Sequence, residues 1–219
     1  MEVIRLNFTY GEKEIEYLKS RDQKLASAIE RIGYIDRPAD EDLFSSVVHH
    51  IIGQQISTAA QATLWARLTD MLSPVNAETI LTLSRDELQS VGMTYKKADY
   101  ILDFAQKVQE GAFDITALNS MTDDEVIKEL TSLKGVGVWT AEMILIFCMK
   151  RPDVVSFGDL AIQRGMRMLY RHRKIDRIKF NRYCKRYSPY GSVASLYLWA
   201  IAGGAIAELT DPAPKKKKV

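Results

Sequence analysis

A chain of 219 residues, 47% hydrophobic and 26% charged, is long enough to bury one sizeable core or two closely packed smaller ones. It holds no apolar run long enough to span a membrane, and its opening stretch MEVIRLNFTY lacks the basic-then-apolar layout of a secretory signal, so a soluble, intracellular protein is expected. Two isolated cysteines, Cys148 and Cys184, show no metal-ligand spacing.

The net charge of +2 conceals a division. Through Gln163 there are 16 Lys+Arg against 25 Asp+Glu, a balance of −9; from Arg164 onward there are 14 against 3, a balance of +11. The basic segment between Arg164 and Arg186 carries Arg167, Arg171, Arg173, Lys174, Arg177, Lys179, Arg182 and Lys185, interleaved with Tyr170, Phe180, Tyr183 and Tyr187. A solvated basic face is one reading; its position straight after the segment that follows Asp159 favours nucleic acid.

In chain order, the first residues read as extended, followed by helical stretches over 11–20 and 22–32 that end at Arg37-Pro38. Asp40 and Asp42 start a helix whose apolar face, Leu43, Phe44, Val47, Val48, Ile51 and Ile52, has core spacing. His49 and His50 are neighbours on it; adjacent side chains on a helix point apart, so no metal site is expected there. Gly53 ends the helix, and Gln54 and Gln55 occupy a break before Ser57 caps the next one, where Ala59, Ala60, Ala62, Leu64 and Leu68 favour close packing. Leu72-Ser73-Pro74 marks a turn, Ser84 with Glu87 forms a capping box, and Gly92 to Tyr95 breaks the chain ahead of a long helix bearing Ala98, Ile101, Phe104, Ala105 and Val108 inward. Lys96 and Lys97 begin that helix and Gly111 stops it. No strand-period run persists, so the fold class is all-α.

The centre of the chain is LKGVGVWTAEM, Leu133 to Met143. Thr122 to Glu125 supply a capping box and first-turn acids for a helix running to Leu130. A Gly-x-Gly turn follows, and Trp139 and Thr140 open a second helix: a helix-hairpin-helix. Gly135 and Gly137 are expected at positive φ, leaving the N–H groups of the second helix exposed as a phosphate nest, with Lys134 beside it. Downstream, VVSFGDL places Asp159 at the mouth of the next helix, where capping alone would account for it at about 1 kcal/mol.

The combination of IIGQQIST (Ile51 to Thr58), LKGVGVWTAEM, Asp159 and YLWA around Trp199 resembles the helix-hairpin-helix DNA glycosylases, in the alkylpurine branch typified by 3-methyladenine DNA glycosylase II. The resemblance covers most of the chain. It implies two packed helical subdomains, 40–157 with the hairpin and 1–39 plus 158–210, with the active site in the cleft between them. About forty residues before the helix at Leu43 leave no room for the extra β-domain of the longer type enzyme, so the short form of the family is expected.

The same resemblance implies the chemistry. Asp159 would be the carboxylate that stabilises the oxocarbenium sugar and orients or deprotonates water. Bifunctional relatives carry a lysine where Trp139 stands; an indole cannot form a Schiff base but offers a π-face to an electron-poor base. Trp199, Met143 and Leu160 match further base-pocket positions, the last two being aromatic in the type enzyme. Gln55, with Gln54 beside it, matches the loop that fills the space left by an extruded nucleotide, although a plain polar surface loop also fits the pair. Gly135, Gly137, Lys134, Arg164 and Arg182 would meet DNA phosphates. The carbonyls of Thr131, Leu133 and Val136 match a hairpin site for a monovalent cation, Na or K; no other cofactor is expected, and two scattered cysteines exclude an iron-sulfur cluster.

The implied function is monofunctional excision of alkylated purines, 3-methyladenine or 7-methylguanine, from double-stranded DNA by a monomer with no membrane attachment. The alternatives are a non-catalytic hairpin module that binds DNA, and a glycosylase with lyase activity on oxidised bases, which Trp139 opposes. The tail 211–219, PAPKKKKV included, is expected to be disordered and fits a nuclear localisation signal, a phosphate-binding arm or an appended sequence equally. The compartment is accordingly the cytoplasm or nucleoid in a bacterium, or the nucleus if the tail is such a signal.

Overall fold

A computed structural model describes residues 7–40 and 42–213. The lysine tail, 215–218, and the first six residues lie outside them. Twelve α-helices form: α1 Glu12–Arg21, α2 Gln23–Ile32, α3 Leu43–Gly53, α4 Thr58–Met71, α5 Ala77–Ile80, α6 Arg85–Ser90, α7 Tyr95–Gln109, α8 Asp123–Thr131, α9 Val138–Phe147, α10 Leu160–Tyr170, α11 Arg177–Tyr187 and α12 Gly191–Ala202, with a 3-10 turn at Ala117–Ser120. Among the described residues there is no strand, only an isolated antiparallel bridge between Asn7 and Pro38, so the all-α expectation holds. No helix of the described chain is long and apolar enough to cross a membrane.

The helix starts follow from short polar side chains that satisfy orphan N–H groups. Asp42 accepts from Ser45 N, Ser57 from Ala60 N and Thr94 from Lys97 N. Reciprocal capping boxes form at Ser84 with Glu87 and at Thr122 with Glu125, both as the spacing predicts.

The chain divides into two compact units, one made of Met1–Ala39 and Lys150–Val219, the other of Asp40–Met149. In the second unit α3 is the central element. Val47, Val48, Ile51 and Ile52 are fully buried, as are Ile101 of α7 and Ile144 and Leu145 of α9, helices that pack on α3. Phe44 stacks on Phe104 at 4.8 Å. Each such side chain contributes roughly 1.5–3 kcal/mol of gross hydrophobic stabilisation. By contrast α4 packs through few positions: Leu68 is its one buried residue, and Ala59, Ala60 and Ala62 are exposed, against the expectation that they mediate close packing. Small size permits close approach but supplies little apolar area to drive it.

In the other unit α10 and α12 approach until backbones touch. A Cβ on Gly165 would lie 2.2 Å from the Leu198 carbonyl oxygen, so only glycine fits that crossing. The corner between α1 and α2 is fastened by Asp22, a buried N-cap whose Oδ2 receives the Tyr170 hydroxyl at 2.9 Å and Arg186 at 3.0 Å, while Oδ1 takes the N–H groups of Lys24 and Leu25. Residues 150–157 belong to this unit because Val154 is pinned to α12: its N–H donates to Ser192 Oγ at 3.0 Å and its carbonyl accepts from Ser195 Oγ at 3.2 Å.

Candidate active site

Asp159 is the N-cap of α10 and is buried, with 7% of its surface exposed. Its Oδ1 accepts from Ala161 N at 2.8 Å and Ile162 N at 2.9 Å, which fixes the carboxylate plane. The approach loop is held from two sides. Gln163 Nε2 donates to the Phe157 carbonyl at 2.6 Å, and the Phe157 ring lies under the Arg177 guanidinium at 3.8 Å and edge-on to Phe180 at 5.0 Å. These three supports come from a turn later in α10 and from the basic segment, and spacing alone did not single them out. Leu160, the next residue, is 79% exposed. Arg164, one turn on, and Arg182 on α11 are also exposed. Trp199 is half-buried on α12, next to the Leu198 position that Gly165 contacts.

In the unit that holds the hairpin, α8 ends at Thr131 and α9 begins after Gly137. Gly135 has φ +85°, as expected, and a Cβ there would strike the Tyr100 ring at 2.3 Å. Gly137 departs from expectation: at φ −98° it is an ordinary N-cap in extended conformation, and a Cβ would meet nothing within 4 Å. One glycine suffices to reverse the chain; the other simply leaves the helix start bare. Gly137 supplies no side-chain cap to α9, whose start carries the partial positive charge of a helix N-terminus. Val138 and Trp139 are exposed there, Trp139 at 46%, whereas Met143, one turn on, is 4% exposed and belongs to the core. Thr131 closes α8, Leu133 is buried, and the Leu133 carbonyl accepts from Val136 N at 3.2 Å.

The two glutamines of the break separate in role. Gln54 turns inward, its Nε2 donating to the Gly135 carbonyl at 2.5 Å. That amide is engaged with the hairpin, so Gln54 is not the side chain that reaches outward. Gln55 is exposed and sits at φ +59°, a left-handed conformation that a non-glycine residue adopts at a cost of about 1–2 kcal/mol.

Lys97, the second of the two lysines that open α7, is half-buried. Its ammonium donates to the carbonyls of Ile52 and Gln54, both at 2.7 Å, capping the C-terminal end of α3, and burial pushes its pKa down. Lys134 pairs with Asp103 at 2.7 Å, a bond that raises the lysine pKa and lowers that of Asp103. Lys97, Tyr100 and Asp103 are spaced i, i+3, i+6 along α7, so one face of that helix supports both the glutamine loop and the hairpin turn. That spacing was readable in the sequence, but its target was not. Neither Cys148 nor Cys184 is in a disulfide, both are half-buried, and burial pushes the Cys184 thiol up to about 12.

Residues 48–189 match the family model described as HhH-GPD superfamily base excision DNA repair protein. A solved structure from Bacillus halodurans described as DNA-3-methyladenine glycosidase superposes with a TM-score of 0.80 at 33% identity, covering 93% of this chain and 95% of that one. The DNA-3-methyladenine glycosylase 1 of Schizosaccharomyces pombe is 27% identical over 80% of this chain and 78% of its own. The Bacillus subtilis protein YfjP is 27% identical over 73% of this chain, which spans 59% of that relative's length. The matched span runs from the middle of α3 through the hairpin, Asp159 and the basic helix α11, and by that match this chain belongs to the HhH-GPD superfamily of base excision DNA repair proteins.

Proposed function

We propose that this protein is a monofunctional DNA glycosylase that hydrolyses the N-glycosidic bond of alkylated purines, of the 3-methyladenine and 7-methylguanine type, after flipping the nucleotide out of double-stranded DNA. The observation that carries this reading is Asp159: a carboxylate buried at a helix start, with one oxygen locked by two N–H groups and an exposed apolar neighbour at its side. As the bond to the base breaks, positive charge develops on the sugar ring. A fixed carboxylate stabilises that charge with no reorganisation, and it orients or deprotonates the water that adds to the anomeric carbon. The pair of bonding electrons leaves with the base. An alkylated, cationic purine becomes neutral on leaving, so no second acidic group is required.

Trp139 supports the monofunctional assignment, because its exposed indole occupies the hairpin position at which a lyase needs an amine. Its π-face suits a cationic base. We assign Trp199 and Leu160 to the same recognition task, and Gln55 to the space vacated by the flipped nucleotide. The uncapped start of α9, with Gly137, would hold a backbone phosphate; Arg164 and Arg182, both exposed, are assigned to phosphates of their own. The Thr131 carbonyl closes α8, where helix-end carbonyls lack intrahelical partners, and with the turn carbonyls of Leu133 and Val136 it would hold a monovalent cation that stiffens the hairpin, as the family resemblance implies. Replacing Na or K by a bulky organic cation at constant ionic strength should then weaken DNA binding. The protein is expected to act as a monomer.

Incubation with methylated duplex DNA tests the main reading. Released 3-methyladenine or 7-methylguanine, with strand breaks appearing only after alkali, is the expected result. Strand breaks before alkali would replace it with a lyase, and binding without base release would replace it with a non-catalytic module.

A further inference from the structure

Far from Asp159 in the chain, at the start of the hairpin's unit, the structure gathers Asp40, His49 and His50. One ligand-capable atom from each lies within 4.8 Å of the others. Asp40 Oδ1 is 3.8 Å from His49 Nδ1, and Asp40 Oδ2 is 3.8 Å from His50 Nδ1. The expectation that neighbouring histidines diverge fails because Asp40 does not lie on the helix axis: its N–H is bonded to the Phe147 carbonyl at the end of α9, which holds it beside the second turn of α3. Both imidazoles, leaning back toward the helix N-terminus as helical side chains do, then converge on one carboxylate.

We propose that Asp40, His49 and His50 form a binding site for a divalent transition metal of the zinc class. Two imidazoles and one carboxylate are a borderline-soft donor set that suits zinc and its neighbours rather than magnesium or calcium. Donors bound tetrahedrally at 2.0–2.1 Å sit roughly 3.3 Å apart, so side-chain rotation by about an ångström closes the set. One outer partner is already in place. Ser46 Oγ donates to Asp40 Oδ2 at 2.5 Å. His50 Nδ1 lies 2.9 Å from the Ser46 carbonyl, which only accepts, so to bind an ion His50 either gives up this bond and uses Nδ1 or turns its ring to bring Nε2 toward Asp40. All three side chains are partly exposed, giving an ion an entry path. Burial lowers the pKa of His49, which favours the neutral ring that a ligand needs. Trp65, 4.8 Å from the His49 ring, restricts its motion. A bound ion would tie the first residue of this unit to α3, near the end of α9, and should raise the melting temperature.

Chelator-stripped full chain, dialysed against Zn²⁺, should retain one equivalent. With Co²⁺ it should show d–d absorption without a thiolate charge-transfer band. His49→Ala and Asp40→Asn should each weaken Zn²⁺ binding at least tenfold. The amide in Asp40→Asn keeps the size and the bond from Ser46, so this variant is expected to fold even if the other does not. No retained metal, a thiolate band that moves the ion to Cys148 or Cys184, or undiminished binding in folded Asp40→Asn would each overturn the assignment.

Discussion

The side-chain amide of Gln54 donates to the main-chain carbonyl of Gly135, so the loop after α3 and the turn of the hairpin are hydrogen-bonded to each other directly. Lys97 completes the arrangement by bonding the Gln54 carbonyl from α7. Two stretches separated by 81 positions therefore act as one piece, and the exposed Gln55 rides on it.

Gln54→Ala should weaken DNA binding and lower excision on every substrate, because it frees the loop from the hairpin; one hydrogen bond of this kind is worth about 1 kcal/mol. Gln55→Ala should act selectively. Extruding a nucleotide costs a few kcal/mol in stacking and pairing, and a side chain filling the gap recovers part of it. Single-turnover excision at one salt concentration should show a larger loss on a well-paired lesion than on the same lesion opposite a mismatch, whereas Arg182→Ala should affect both alike. Equal losses in Gln55→Ala would return that residue to a polar loop.

Asp159→Asn separates chemistry from architecture. Asparagine caps a helix as well as aspartate does, so stability should change by less than about 1 kcal/mol. Loss of the charge facing the oxocarbenium sugar should lower single-turnover base release by roughly two to three orders of magnitude with DNA affinity retained. Activity within a few-fold of wild type would remove Asp159 from the reaction.

The two hairpin glycines should behave differently. Gly135→Ala combines a left-handed backbone with a clash against Tyr100 and should cost about 2 kcal/mol or more in thermal or denaturant unfolding. Gly137→Ala has space and an ordinary φ, so it should fold as wild type and lose affinity for all duplexes to a similar extent. Undiminished DNA binding in that variant would mean no phosphate approaches Gly137.

Arg167 grips Asp211 through Nε and a terminal nitrogen, at 2.8 and 2.5 Å, and this holds the Asp211 carboxyl below its usual pKa. A depressed folded pKa means stability that is present above the unfolded value, about 4, and is lost as pH falls through the folded one. Asp211→Asn should lower stability at pH 7 by about 1 kcal/mol and by less at pH 3, read from urea midpoints. An equal deficit at both pH values would show that the ion pair contributes nothing through its charge.

Helix starts and the hairpin itself were legible in the sequence because they depend on residues three or four apart. Ser84 with Glu87, Thr122 with Glu125 and Asp159 before Leu160 each satisfy orphan N–H groups from within the same turn, and no distant partner is needed. Asp159 at a helix mouth was legible for the same reason, whereas the chemical roles proposed for it and for Trp139 come from the resemblance to known glycosylases. Tertiary structure alone decided which of two adjacent glutamines faces outward, that Lys97 caps α3, that Gly137 needs no special backbone, and that two neighbouring histidines share Asp40. Each of these outcomes depends on a group far away in the chain or on how the backbone bends beside a helix. Residue type and spacing do not encode those positions until the core of α3, α7 and α9 has packed.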